Sequence, residues 1–419
     1  MGPGDLITVK TKDKEYTGRL MPNEETDSLI IKLDSGYNIG IDKKNIVESK
    51  IHETLNEPKK GTKLKIKKDP KKPNITILHT GGTIASKVDY QTGGVIATFE
   101  PEDLIEKFPE LHDIANINSQ LVSNKMSEDM MFADYKNMIE AIKKCHDKSD
   151  GIIIGHGTDT LGYSAAALSF ALEGLGIPIL LVGSQRSSDR GSSDAAINLI
   201  NAAYFIAKSD FSGVAVCMHS SMNDTSCAIL PGCKTRKMHT SRRDAFKAVN
   251  DTPIALVDYK AKKIEFQKEH TKKSKSKLNI LPEFEEKVGL IKSYPNMNPE
   301  QFLFFKGYKG LVIEGTGLGH TLVGKEDEYV KAIKQLIDSG TIVTMTSQCI
   351  FGRVHPKVYT NIRKYSNIGV LYSEDMIPET AYIKLSWLLG NYPKEKAKEL
   401  YAQNLRGEIS ERLGTDFLD

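Results

Sequence analysis

The sequence predicts an α/β protein, a two-domain parallel-sheet core preceded by a small all-β barrel domain. Three observations predict it. From residue 74 onward, apolar strand-like runs alternate with segments whose apolar residues recur at helical spacing, the pattern of βαβ units on a largely parallel sheet. Two of those runs, 74–79 and 151–155, lead into glycine-threonine turns, as buried parallel strands do when they open onto a polar crevice. Residues 1 to about 55 instead show short runs of near-alternating apolar and polar residues broken by regular turns, the texture of a small β module.

Taken in order, Leu6-Ile7-Thr8-Val9-Lys10-Thr11 is the first strand, and Lys12-Asp13-Lys14-Glu15 turns the chain into Tyr16-Thr17-Gly18-Arg19-Leu20-Met21. Leu29-Ile30-Ile31-Lys32-Leu33 follows, then an Asp34-Ser35-Gly36 turn and Tyr37-Asn38-Ile39-Gly40-Ile41. Residues 58–73 hold eight lysines and three prolines and read as an exposed linker, with RNA phosphate as the functional alternative. Strands are expected at 74–79, 151–155, 177–182 and 213–217, with helices at 135–142 and 195–200 between them. A polar interruption at 266–287 separates this unit from a second one, where Gly310-Leu311-Val312-Ile313-Glu314 and 341–345 are strands and 329–337 is the helix joining them. The expected division is therefore 1–57 barrel, 58–73 linker, 74–265 catalytic α/β domain, 266–287 linker and 288–419 C-terminal α/β domain. A length of 419 residues exceeds what one core fills.

Composition narrows the class. Charged residues are 26%, hydrophobic ones 39%, and the net charge of +3 is too small to select a partner. Five scattered cysteines without a C-x-x-C pair fit reduced thiols in a cytoplasmic protein. No basic-then-apolar leader opens the sequence, and no run of about eighteen apolar residues suggests a membrane span.

The chemistry gathers at the two turns. A threonine hydroxyl needs a base or electrostatic help to act as a nucleophile. Gly81-Gly82-Thr83 offers such a hydroxyl beside backbone that a substrate can approach closely. Thr158-Asp159 adds a second hydroxyl next to a carboxylate, and the lysines of Gly232-Cys233-Lys234-Thr235-Arg236-Lys237 are the candidate bases. On the residues alone, the nucleophile is the minority reading, and the glycine-threonine turn could equally be no more than a phosphate nest. His156 has no HExxH or clustered His/Cys spacing and is expected to be packed or hydrogen-bonded. Gly315-Thr316-Gly317-Leu318-Gly319 lacks dinucleotide spacing, no G-x-x-x-x-G-K-[ST] is present, and Trp387 is expected in the core.

Residues 77–86, ILHTGGTIAS, resemble the first signature of the L-asparaginase/glutaminase family, and residues 155–161, GHGTDTL, resemble its second, in order and at the family's spacing. Residues 192–199 and 236–250, the latter ending in F-x-x-x-N at Phe246 to Asn250, agree further. The resemblance covers about 74–405. It implies that Thr83 is the primary nucleophile and that Thr158 and Asp159 form the second motif's T-D pair. It makes Lys237, nine residues before Phe246, the catalytic lysine, and it gives Ser127 and Glu128 the substrate's α-carboxylate and α-amino groups. No metal is implied. The family's loop tyrosine is unmatched in register: Tyr90 arrives early and is left out of the expected site.

The 34–41 and 183–190 segments resemble the glutaminase subunits of archaeal glutamyl-tRNA(Gln) amidotransferases. That resemblance implies hydrolysis of glutamine and supply of ammonia to a partner, the E-type component of the same amidotransferase. The partner would hold ATP and Mg, act on mischarged Glu-tRNA(Gln), and assemble as a heterotetramer around a homodimer of this chain. Two alternatives stand beside it: a free-standing cytosolic L-asparaginase/glutaminase, and an RNA-binding scaffold on an inactive hydrolase fold.

Overall fold

A computed structural model describes residues 2–23, 27–33, 38–54, 68–81, 86–88, 95–97, 108–186 and 193–414, with 86–88 and 95–97 as backbone only. The N-terminal module consists of β1 (Leu6–Thr11), β2 (Glu15–Leu20), β3 (Ser28–Leu33), β4 (Asn38–Asp42) and β5 (Ile46–Glu53). It forms an antiparallel sheet in the order β4-β3-β2-β1-β5. Alternation puts Ile7, Val9, Ile31 and Ile41 on one face as its small core. The expected barrel is thus a five-stranded sheet whose edge strands β4 and β5 are not hydrogen-bonded to each other among the described residues. A one-turn helix, Lys43–Asn45, joins those edges, and the Asp42 carboxylate accepts from the Lys44 N–H at 2.9 Å.

The next sheet contains β6 (Asn74–His79), β7 (Asn116–Leu121), β8 (Gly151–Gly155), β9 (Pro178–Val182), β10 (Gly213–His219), β11 (Cys227–Pro231), β12 (Ala255–Asp258) and β13 (Lys263–Phe266). Its order is β13-β12-β11-β10-β9-β8-β6-β7. The five strands from β7 to β10 are parallel, while β11, β12 and β13 extend the sheet as an antiparallel meander. β8 is buried along its whole length because helices cover both faces, which is why the parallel strands read as continuous apolar runs. The covering helices are α1 (Glu110–Ile114), α2 (Phe132–Cys145), α3 (Leu161–Ala171) and α4 (Ala195–Lys208).

The C-terminal sheet is parallel: β14 (Val288–Lys292), β15 (Gly310–Gly315), β16 (Ile342–Ser347) and β17 (Leu371–Tyr372), in that order. Its helices include α5 (Glu328–Asp338), α6 (Thr360–Asn367), α7 (Pro378–Asn391) and α8 (Lys394–Tyr401). α3 and α7 join the two α/β units. Nine of the eleven α3 residues are buried, so the helix has an apolar neighbour on every side. Phe170 of α3 stacks on Trp387 of α7 at 5.4 Å, and the Trp387 indole N–H donates to the Leu281 carbonyl.

Both polar connectors are tied down wherever they are described. The end of the lysine-rich segment docks on β7, with the Asp69 N–H donating to Asn116 Oδ1 at 2.9 Å. In the 266–287 stretch, Asn279–Ile280 pairs antiparallel with Leu172–Glu173. There the Thr271 and Gly176 carbonyls also accept from the Ser212 and Ser274 N–H groups. Residues 266–287 therefore run as a strap along the first α/β unit.

Candidate active site

The sheet order creates the crevice. From β6 the chain moves to β7 on one side and returns to β8 on the other, so the crossover changes direction between β6 and β8. Ligands of open α/β sheets bind outside the carboxyl ends of strands at such a switch point. Here those ends carry His79-Thr80-Gly81 and Gly155-His156-Gly157-Thr158. Thr80 ties the two together, since its N–H and its hydroxyl both donate to the Gly155 carbonyl, at 3.1 and 3.0 Å. Gly81 has φ +119°, and a Cβ there would lie 2.1 Å from the Lys125 carbonyl oxygen, so this turn requires glycine. Thr83 and Tyr90 lie outside the described residues.

Lys237 reaches this crevice from a separate hairpin, Thr235–Lys237 paired with Phe246–Ala248. Its ammonium donates to Thr158 Oγ1 at 2.9 Å and to Asp159 Oδ1 at 2.7 Å. Three residues that are 79 positions apart at most thus share one hydrogen-bonded unit. The Lys237 side chain is 17% exposed and that of Asp159 is 62% exposed. The acid end of the unit therefore faces solvent, and a bound ligand would desolvate it.

Ser127 is buried beneath the second motif. It begins a one-turn helix, Ser127–Asp129, that leaves Glu128 exposed beside it. Its Oγ accepts from the Asp159 N–H at 3.2 Å, and its carbonyl accepts from the Thr160 hydroxyl at 2.6 Å. Gly157 is the reason the serine fits: a Cβ at 157 would stand 2.7 Å from Ser127 Cβ. Thr158, Asp159, Lys237 and Ser127 are thus brought together, with Glu128 on the neighbouring turn.

Several supporting residues were not singled out from the sequence. A Cβ on Gly183 would lie 2.8 Å from Thr158 Cγ2, so the threonine methyl packs against bare backbone at the exit of β9. Asp194 holds that exit. Its carboxylate accepts from the Ser184 hydroxyl, the Gln185 and Arg186 N–H groups and the Asn198 amide, at 3.0 to 3.1 Å. The signal was an aspartate at the start of a helical run, within the 192–199 segment.

The two histidines are structural bases. The Gly157 carbonyl can only accept, so His156 Nδ1 carries the proton, and Nε2 accepts from the Ser164 hydroxyl at 2.8 Å. Burial holds this ring below its ordinary pKa, and burial lowers His79, at the end of β6, to about 4. A cavity of about 510 Å³ opens at the opposite, amino end of the strands, beside Gly213, Pro231 and Arg406. It contains none of the site residues described here, and the hydrogen-bonded unit at the switch point is the better marker of chemistry. Among the described residues, no three His, Cys, Asp or Glu side chains gather as a metal site, and no helix is long and apolar enough to cross a membrane.

Comparison with known proteins identifies the family and the fold. Residues 74–272 match the "Asparaginase, N-terminal" family, residues 287–401 the "Glutaminase/Asparaginase C-terminal domain" and residues 1–51 the "GatD N-terminal domain". The chain is 45% identical over 423 residues to the GatD component of glutamyl-tRNA(Gln) amidotransferase from Methanococcus maripaludis, covering 99% of this chain and 100% of that one. It is 47% identical over 416 residues to the Pyrococcus furiosus protein of the same name, covering 97% and 93%. Among solved structures, the thermostable L-asparaginase from Thermococcus kodakarensis superposes with a TM-score of 0.72 at 28% identity, covering 81% of this chain and 100% of that one. L-asparaginase I from Vibrio cholerae gives 0.71 at 28% identity, covering 81% and 99%.

Proposed function

The chain belongs to the GatD family of glutamyl-tRNA(Gln) amidotransferase components, and on that footing we propose that it is the glutaminase of a tRNA-dependent amidotransferase. It hydrolyses glutamine and supplies ammonia for converting Glu-tRNA(Gln) to Gln-tRNA(Gln). The observation that carries this reading is the Lys237 ammonium shared between Thr158 and Asp159 at the carboxyl end of β8, next to the strand that leads into Gly81-Gly82-Thr83.

The chemistry is acyl transfer. Glutamine sits with its α-groups at Ser127 and Glu128. Thr83 Oγ bonds to the side-chain amide carbon while its proton passes through the Thr158 hydroxyl to the Lys237 nitrogen, which hands one of its own protons to Asp159. Backbone N–H groups of the glycine turn stabilise the oxyanion. A proton returns to the amide nitrogen as the C–N bond breaks, and ammonia leaves. Water then attacks the threonyl ester, Thr83 regains its proton and glutamate departs.

The partner, GatE, holds ATP and Mg and activates the tRNA-linked glutamate, a division of labour consistent with the lack of a G-x-x-x-x-G-K-[ST] motif in this sequence. The assembly is a heterotetramer around a homodimer of this chain. The test is to purify the chain with and without GatE, then follow hydrolysis of glutamine and asparagine and ATP-dependent amidation of Glu-tRNA(Gln). The reading expects glutamine-dependent amidation only with both components and the loss of it in Thr83→Ala. Strong asparagine hydrolysis by the chain alone, with no amidation in the complex, would replace it with the free-standing amidohydrolase.

A further inference from the structure

We propose that the buried ion pair Lys234–Asp375 is a positioning device that aims Lys237, so that the C-terminal α/β unit sets the geometry of a proton relay to which it contributes no atom. This rests on the reading of Lys237 as the relay lysine.

Side chains along an extended strand alternate between its faces. Thr235 and Lys237 share one face of the hairpin. Lys237 meets Thr158 and Asp159, while the Thr235 hydroxyl donates to the Pro231 carbonyl at 2.6 Å. The opposite face carries Arg236, Lys234 is the turn residue just before the strand, and the C-terminal unit grips both. Lys234 Nζ lies 2.5 Å from Asp375 Oδ2, with both side chains fully buried, and Arg236 Nε lies 3.4 Å from Glu379 Oε1 at the start of α7. The residue before them is held as well, since the Thr380 hydroxyl donates to the Cys233 carbonyl at 2.7 Å. Three of the four residues immediately before the relay lysine are therefore fixed from the other α/β unit.

The returning strand is pinned at the same level. The Val249 N–H donates to the Lys234 carbonyl at 2.8 Å. Asn250 adopts φ +56°, and its amide donates to the Gly352 and Asp375 carbonyls while accepting from the Gly352 N–H. Asp375 is in turn set by the Ser410 N–H at 3.0 Å.

A buried ion pair is a poor way to gain stability, because apolar residues of the same size usually serve as well. What a short, directional contact between two buried charges adds is a fixed geometry. Lys237 lies three residues beyond it, at the far end of the short strand that this turn starts, so a small tilt at the base moves the ammonium off Thr158. A misplacement of about 1 Å at a reacting group can cost about 10²-fold in rate.

The test uses the full chain assembled with its partner. The double variant Lys234→Met/Asp375→Leu removes both charges of the pair together, and Arg353, which lies 3.7 Å from Asp375, keeps Glu374 at 3.5 Å. Expected are a kcat for glutamine reduced about 10- to 100-fold, an unchanged KM, and faster hydrogen exchange at the Met238 and Val249 amides with the melting temperature kept. Thr380→Val, which loses only a hydroxyl, should lower kcat in the same direction by a smaller factor. A folded double variant with wild-type kcat overturns the proposal. If that variant does not fold, wild-type kcat in both Thr380→Val and Arg236→Gln overturns it. The relay reading has a separate control: Lys237→Met turning over glutamine at the wild-type rate removes the relay, while the hairpin exchange still reports whether Lys234–Asp375 holds the strand.

Discussion

Replacing Lys237 by methionine isolates chemistry from folding. The substitution keeps a stem of similar length and removes the ammonium that bridges Thr158 and Asp159 at 2.9 and 2.7 Å. Because the Asp159 side chain is 62% exposed, its pair with Lys237 contributes at most about 1 kcal/mol to folding. The melting temperature should therefore fall by no more than about 4 °C. Loss of proton transfer at a positioned group is worth about 10²–10⁴ in rate, or roughly 3–5 kcal/mol of barrier. The assay is ammonia release at saturating glutamine in the assembled complex, read alongside a thermal melt. A kcat within tenfold of wild type refutes the relay. So does a loss of activity that merely follows a collapse in melting temperature, since the reasoning assigns this lysine little structural weight.

Gly157→Ala would push a methyl to 2.7 Å from Ser127 Cβ; an overpacking cost of about 1–3 kcal/mol displaces the serine, and calorimetry should show glutamine binding weakened about tenfold. Lys234→Ala alone leaves the Asp375 carboxylate buried without its ammonium, with the Arg353 guanidinium 3.7 Å away, so chemical denaturation should reveal a loss of at most about 3–5 kcal/mol, more than the paired apolar double variant loses. The buried histidines set an acid limit. His79 has its pKa lowered to about 4 and His156 is also lowered, both by burial. In the unfolded chain such rings titrate near about 6.5. Above that pH neither state takes up the proton and the stabilisation is complete. As pH falls from about 6.5 towards 4, the unfolded chain binds protons that the folded one refuses, and stability drops, by about 3 kcal/mol for His79 alone. Unfolding free energies at pH 8 and pH 5 should differ accordingly, and the difference should shrink in His79→Gln; equal values would contradict the burial argument.

What the sequence made legible was local. A parallel strand buried on both faces cannot alternate, so 74–79 and 151–155 announce themselves as apolar runs, and the turns that follow carry the polar atoms of the crevice. Lys237 was legible only through the family resemblance, which counts it nine residues before Phe246; on the residues alone it stood level with Lys234, and the structure then makes it the Cα partner of Phe246 in a hairpin. The polar strap at 266–287 looked like a loose connector because composition does not reveal partners: backbone groups attach it to the 172–173 and 212 regions, and the Asn279 and Ser276 side chains bond to Glu173 and the Gly174 carbonyl. The antiparallel meander β11–β13 escaped notice because its strands run only four or five residues, and the last two are partly exposed. Asp375 had no signature at all. It is 141 residues from Lys234, and a lone aspartate before a helix reads as an ordinary surface residue until folding buries it.

The clamp also determines how this polypeptide can be cut or shuffled. A fragment ending in the strap would retain Thr158, Asp159 and Lys237 yet deprive Lys234 of Asp375 and strip Trp387 from Phe170. The two α/β halves are separable as text and inseparable as an enzyme. Chimeras between relatives should keep activity only when residues 233–250 and 350–380 come from the same parent.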